Sequence, residues 1–280
     1  MKTLWRFAVL IVLSFIALQL YFVLRVALMT VVDPQSTTFQ RSEAFRLLAE
    51  KHQIAWSQRW ADDRQIAPTL KRAVIASEDA NFFDHSGVEW DALEKAWEKN
   101  QAAEARVARI NAENEKRAAA QAAREAAREA ARAGRRKTSA STPAAPPPAP
   151  RPVPHVQAKI VGGSTITQQL AKNLFLGSER NIARKGQEIL VTFMLEAMLS
   201  KQRILEIYLN NVEWGEGVFG AEAAARHYFH VSASQLSASQ AARLAVMLPA
   251  PKRFEKKPDS AYVVGRAGTV MARMGAVELP

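Results

Sequence analysis

Residues 73–87 read Ala73-Val74-Ile75-Ala76-Ser77-Glu78-Asp79-Ala80-Asn81-Phe82-Phe83-Asp84-His85-Ser86-Gly87. An apolar helical run over residues 70–76 ends there in two adjacent carboxylates, Glu78 and Asp79. They stand at the end of the helix where the backbone dipole is negative and acids are disfavoured. Local violations of this kind mark functional sites. A carboxylate held among Phe82, Phe83 and His85 has its charged form destabilised, which raises its pKa and makes it a better proton acceptor. Glu78 is therefore a candidate general base. The plainer alternative is that Glu78 and Asp79 only cap the turn into residues 84–87.

Upstream, Ile66-Ala67-Pro68-Thr69-Leu70 reads as a turn and cap: Pro68 cannot continue an earlier helix and Thr69 can cap the next. Residues 33–63 are polar and mixed, with Trp56 and Trp60 spaced either as interface anchors or as core residues. Residues 7–24 are apolar apart from Ser14 and Gln19, with Lys2 and Arg6 before them and Arg25 after. At about 1.5 Å per residue that run is roughly long enough to span a hydrocarbon core. No small-x-small cleavage site follows, so residues 1–32 are read as a cytoplasmic tip and uncleaved anchor. Lys2 and Arg6 favour an N-terminus inside the cell. The rest of the chain then lies outside the cytoplasm.

Downstream, residues 33–98 form the first part of the folded domain. Residues 99–158 read as an insertion: Ala-rich with interleaved Arg and Glu up to Gly134, which is expected to stop the helix, then Pro-rich over 142–154. That composition suits an exposed or disordered spacer. Order resumes over residues 159–280, where Ser164 is placed to cap a helix running to about Phe175. On that helix Thr165, Gln168, Gln169 and Lys172 form a polar stripe and Ile166, Leu170 and Leu174 an apolar one. Uncharged hydrogen-bonders ending in one lysine suit either a solvated face or a cleft wall for sugar hydroxyls and a phosphate. Arg180, Arg184 and Lys185 open the next helix, where cations are poorly placed for its dipole and suit an anion. On it Ile182, Ile189, Leu190, Phe193 and Ala197 are expected to face the core. Ser200 caps a helix over 201–211 with Ile204, Leu205 and Tyr208 inward. Gly215, Gly217 and Gly220 match a G-x-G-x-x-G pattern formally, but they follow a helix where a dinucleotide site needs a strand. His227 and His230 lack a third metal partner, and Ser237 with Gln240 forms a capping box. No long strand pattern appears, so the fold is mainly α.

The 280 residues hold no cysteine, so disulfides, thiolate nucleophiles and Cys-based zinc sites are excluded. A net charge of +11 calls for an anionic partner. The predicted topology argues against nucleic acid.

Taken together the pieces resemble the peptidoglycan glycosyltransferases, in their monofunctional, membrane-anchored form. The residues carrying the likeness are Glu78-Asp79 with Phe82, His85 and Gly87, and then 163–169 (Gly-Ser-Thr-Ile-Thr-Gln-Gln) with Lys172 and Asn173. Arg184-Lys185, Glu188, Leu195-Glu196, Ile204-Leu205-Glu206, Tyr208-Leu209-Asn210, Gly215, Gly220 and Ala224 continue it. The resemblance implies a lysozyme-like α-helical glycosyltransferase domain that polymerises lipid II into glycan strands, with inversion and release of undecaprenyl diphosphate. In it Glu78 is the general base, supported by Asp79 and His85. Lys172, Arg180, Arg184 and Lys185 neutralise the diphosphate, alone or with a divalent cation, Mg or Mn, and no metal ligand is assigned. Glu188 orients those cations or a metal. Thr165, Gln168 and Gln169 line the sugar cleft beside Ser164 and Phe82.

Implied partners are lipid II, the growing strand, the membrane and other cell-wall synthesis or division proteins. The implied location is a bacterial inner membrane, single-pass, with the catalytic domain in the periplasm. Two departures are the insertion and Thr192, which stands where a smaller Ala is commoner. The sequence has no Ser-x-x-Lys or Lys-Thr-Gly, so no transpeptidase is expected in this chain. The competing readings are a lytic transglycosylase, which has no diphosphate to neutralise, and a non-catalytic anchored scaffold.

Overall fold

A computed structural model of the chain describes residues 2–136, 156, 163–177 and 182–279. The chain divides into two units, Met1–Glu89 with Ser164–Pro280, and Trp90–Gly163. Arg180 and the Pro-rich 142–154 lie outside the described residues.

The first unit opens with α1 (Lys2–Leu28), long and apolar enough by length and composition to cross a membrane. Most of α1 is exposed, but one face of its last turns is not. Phe22 and Val26 are buried where α1 packs on α6 (Ile182–Met198), and the amides of Gln19 and Gln187 exchange hydrogen bonds of 3.0 and 3.1 Å. That pairing explains a glutamine inside an apolar helix, because an amide in hydrocarbon needs a partner.

The polar stretch after it contains a helix that composition alone does not announce, α2 (Thr38–Lys51), opened by a capping box between Thr37 and Gln40. Next, α3 (Pro68–Glu78) buries Leu70, Ala73, Val74 and Ile75 against α9 (Ala238–Met247) and α11 (Ala261–Met274). The cap expected from Thr69 is corrected: Ala67 is the N-cap, Pro68 takes the first helical position, and the Thr69 hydroxyl donates to the Leu236 carbonyl at 2.7 Å. Proline there presets φ and has no N–H to cap.

The helices that carry the site are α5 (Ile166–Phe175), α6 and α7 (Lys201–Asn211), the last capped by Ser200 as its sequence indicates. On α6 the expected inward face is corrected. Leu190 and Phe193 are 41% and 43% exposed and Ala197 is exposed. The buried stripe is Glu188, Val191, Thr192 and Leu195. A periodicity count rejects that stripe because two of its members are polar, yet both are satisfied internally, Thr192 by a 2.8 Å bond to the Glu188 carbonyl.

A small sheet of order β1–β3–β2 closes the unit: β1 (Ser57–Gln58) is parallel to β3 (Val218–Phe219), and β2 (Glu213–Gly215) is antiparallel to it. Between β2 and β3, Gly217 has φ +72°, and a Cβ there would lie 2.0 Å from the Ala55 carbonyl oxygen. Trp56 stacks on Phe219 with ring centroids 4.5 Å apart, and the Arg203 guanidinium lies over Trp60. The helices α8 (Ala221–Phe229) and α10 (Pro251–Phe254) complete the unit.

Glu213 on β2 is buried, and its carboxyl is pushed up to about 7. Burial is the main cause; Lys252, 3.5 Å away, opposes it and the Glu43 charge adds to it. A carboxyl raised in the folded state contributes stability that is complete below its unfolded pKa and is lost as pH rises through the folded one. Glu213→Gln is therefore expected to be nearly neutral at about pH 4 and stabilising by about 1–3 kcal/mol at about pH 8. Urea unfolding at both pH values checks this, and equal effects at the two would refute it.

In the second unit α4 (Trp90–Arg136) runs for 47 residues. It continues through Gly134, where the sequence predicts a stop, since one glycine costs a helix only about 1 kcal/mol. Its root buries Ala96, and the Asn111 amide brackets the Val156 backbone with bonds of 3.0 and 2.9 Å.

Candidate active site

Glu78 is the last residue of α3 and Asp79 its C-cap. Because the chain leaves the helix at Asp79, the two carboxylates diverge. Asp79 turns inward and is 5% exposed, whereas Glu78 is half-buried.

One oxygen of Asp79 accepts the Ile166 N–H at 2.9 Å, and the other lies 2.8 Å from His85 Nε2. Ile166 is the first residue of α5. An acid misplaced at the end of α3 is thus well placed at the start of α5, where the dipole is positive. His85 Nδ1 accepts the Gly87 N–H at 3.1 Å. Its proton must then sit on Nε2, donated to Asp79.

The turn is pinned from beneath. Lys201 donates to the His85 carbonyl at 2.6 Å, pairs with Glu196 at 2.8 Å, and sits 4.6 Å from the centroid of the buried Phe82 ring. Thr167 donates to the same Glu196 oxygen. Gly87 has φ +87°, and a Cβ on it would meet Glu196 and Thr192 at 2.7 Å. Glu196 and Lys201 are supports to which the sequence reading gave no role: Glu196 appears there only within the family likeness, and the pair is five residues apart across the break between α6 and α7.

Glu78 accepts a 3.0 Å bond from the Gln169 amide, whose oxygen accepts the Tyr208 hydroxyl at 2.9 Å. Tyr208 is buried, and burial, with the Glu78 and Asp79 charges, holds its phenol well above the ordinary range. It remains a donor, which orients Gln169 with its N–H toward Glu78. The Glu78 carboxyl itself is raised, chiefly by burial and further by Asp79, while the Gln169 bond pulls it down.

The other predicted polar residues divide. Thr165, not Ser164, is the N-cap of α5; it shares a capping box with Gln168 and donates to the Gly87 carbonyl at 2.6 Å. Thr165 and Gln168 are buried, 3% and 1% exposed, so their side chains serve the α3–α5 junction. Ser164 is exposed. Lys172, one helical turn beyond Gln168, is exposed at the far end of α5. The surrounding protein lowers its ammonium pKa, Glu188 raises it, and the Arg184 and Lys185 charges lower it. The cations of α5 and α6 therefore share one field.

Glu188 is 3% exposed, and its two oxygens engage Arg184, at 3.2 Å, and Lys185. That donor set does not suit a resident divalent cation. Both Glu188 oxygens and both Asp79 oxygens already have partners, and no group of three His, Cys, Asp or Glu side chains clusters among the described residues. A cavity of about 410 Å³ is lined by Ile75, Phe83, Asp84 and Val277, and by none of Glu78, Asp79, Gln169, Glu188 and the cations.

Glu78 is thus a half-buried carboxylate with a raised pKa at the end of α3, and Lys172, Arg184 and Lys185 form a cation cluster around Glu188 on α5 and α6. The transglycosylase family matches residues 46–109 and 154–275 of this chain, and the chain belongs to it. The unmatched 110–153 falls within Trp90–Gly163. Similar proteins named biosynthetic peptidoglycan transglycosylase occur in Cupriavidus metallidurans (46% identity, 96% of this chain and 95% of the relative) and Burkholderia pseudomallei (44%, 95% and 84%). Another, in Paraburkholderia xenovorans, is 41% identical over 99% of this chain and 94% of its own length. The chain is thus placed among the biosynthetic peptidoglycan transglycosylases, with the mainly α, lysozyme-like fold its sequence suggests.

Proposed function

We propose that this chain polymerises lipid II into glycan strands, with Glu78 as general base. The carrying observation is the Tyr208–Gln169–Glu78 relay, which aims the carboxylate while burial keeps it basic. Glu78 takes the proton of the acceptor 4-hydroxyl as that oxygen attacks C1 of the donor sugar. The C1–O bond to the diphosphate breaks on the opposite face, so configuration inverts. The electron pair leaves on undecaprenyl diphosphate.

Lys172, Arg184 and Lys185 stabilise the charge that develops there, and fixed cations need no reorganisation at the moment of reaction. By sequence Arg180 belongs with them. Asp79, His85 and Phe82 position the turn that holds Glu78; Thr165 and Gln168 brace it through Gly87. Gln169 and the exposed Ser164 are assigned to sugar hydroxyls on the strength of the sequence resemblance. A divalent cation, Mg or Mn, would have to arrive on the diphosphate.

The anchor α1 keeps the domain beside its lipid-linked substrate. Lys2 and Arg6 support a cytoplasmic N-terminus with the catalytic domain in the periplasm. Other cell-wall synthesis proteins would cross-link the strands.

The test is incubation of detergent-solubilised protein with labelled lipid II. Long strands with the linkage inverted are expected; shortening of preformed glycan without synthesis would establish a lytic enzyme instead. Glu188→Gln removes the carboxylate that Arg184 and Lys185 share. Losing one charge-assisted hydrogen bond predicts about a tenfold fall in kcat/KM, with the acid limb of the pH profile unmoved. A shift of that limb would mean that Glu188 acts on Glu78.

A further inference from the structure

The helix α4 carries a feature that the chemistry at Glu78 does not use. At 3.6 residues per turn, Lys99, Arg106, Arg109, Arg117, Arg124 and Arg128 fall within a sector about 100° wide. All six are exposed. Along the stripe Glu104 and Glu115 fall on the opposite side, Glu98 and Glu125 flank its two edges, and the acid within the sector, Glu113, is held by Arg117 at 2.5 Å. The stripe is about 45 Å long at about 1.5 Å per residue. After Ile110 the helix has no apolar residue larger than alanine. It cannot bury itself in hydrocarbon, and can only adhere by charge.

From this we infer that the basic face of α4 is a docking surface for the anionic headgroups of a bilayer. Three observations favour a lipid surface over a soluble polyanion. A straight stripe on one face fits a plane along its whole length. The same chain is tethered to a membrane by α1, which raises the effective headgroup concentration. The exposed aromatic residues at the root of the helix, Trp90 and Trp97, 60% and 63% exposed, lie on the side away from the cations, where they cannot stack on bases or sugars bound to the stripe.

Each cation near an anionic leaflet contributes about 1 kcal/mol. Replacing four should therefore lower the ratio of docked to free arms more than tenfold. The inference is independent of the glycosyl-transfer reading, since its readout is position and not activity.

The experiment uses the full chain. Because it has no cysteine, Ala120→Cys on the basic face gives a single dye site. The labelled protein is placed in nanodiscs carrying an acceptor dye on lipid headgroups, either of phosphatidylcholine alone or with phosphatidylglycerol. Energy transfer is expected to be higher with phosphatidylglycerol and to fall to the phosphatidylcholine level as salt rises from about 0.1 to about 1 M, where the Debye length drops from about 10 to about 3 Å. It should be lost in the variant R106Q/R109Q/R117Q/R124Q, whose helix circular dichroism confirms and whose lipid II polymerisation in detergent is unchanged. Equal transfer in both discs overturns the inference. So does salt-sensitive binding of heparin by the stripe without any dependence on lipid charge, which would make the partner a soluble polyanion.

Discussion

Glu78→Gln is expected to abolish strand formation while lipid II binding persists. Glutamine keeps the shape of the side chain and can still accept from Gln169, but it cannot take a proton at neutral pH. Removing a positioned general base costs about 10²–10⁴-fold in rate, and with no neighbouring group aimed at the same place the upper half of that range is expected. The pH dependence tests the assignment more sharply. The base acts only when ionised, and burial raises its pKa, so kcat/KM should rise with pH through a limb above the ordinary carboxylate range. Gln169→Leu removes the bond that favours the carboxylate and should move that limb further up. A limb that stays in place in Gln169→Leu would remove Glu78 from the role of base.

The second large effect belongs to Asp79→Asn. Asp79 is buried and accepts from two donors, Ile166 N–H and His85 Nε2–H. An asparagine accepts through one atom only, so its NH₂ must face one of those donors. A buried donor left unsatisfied, together with the lost charge at the start of α5, costs about 2–4 kcal/mol. Urea unfolding should show that loss; a loss below about 0.5 kcal/mol, the usual surface range, would contradict the geometry. Activity should fall as well, because the turn through His85 and Gly87 sets the direction of Glu78. The acid limb should move down, since the Asp79 charge is one of the two causes that raise Glu78.

Much of this protein is readable from its residues in order. The anchor follows from a run of apolar side chains too long for anything but a bilayer or a core, and helix starts at Ser200 and Ser237 follow from local capping that needs no tertiary partner. The oddity of Glu78-Asp79 also shows in the chain itself, because a carboxylate at the wrong end of a helix is wrong by local rules. What local rules cannot supply is the second helix that makes it right: Ile166 is 87 residues from Asp79, and the insertion lies between them.

The same limit explains the errors. The sequence offers Ser164 as the cap of α5, whereas Thr165 takes that place, with its hydroxyl also donating to the Gly87 carbonyl. Periodicity sends Leu190 and Phe193 inward, whereas packing takes Val191 and Leu195 into the core and carries Glu188 and Thr192 with them. Gly134 reads as a stop, yet α4 passes through it. Residue order alone carries the helical class, the apolar N-terminal helix and the family resemblance. Which acid faces inward, which amide holds Glu78 and which face of α6 is buried depend on hydrogen bonds between residues distant in the chain or on packing that no local spacing encodes.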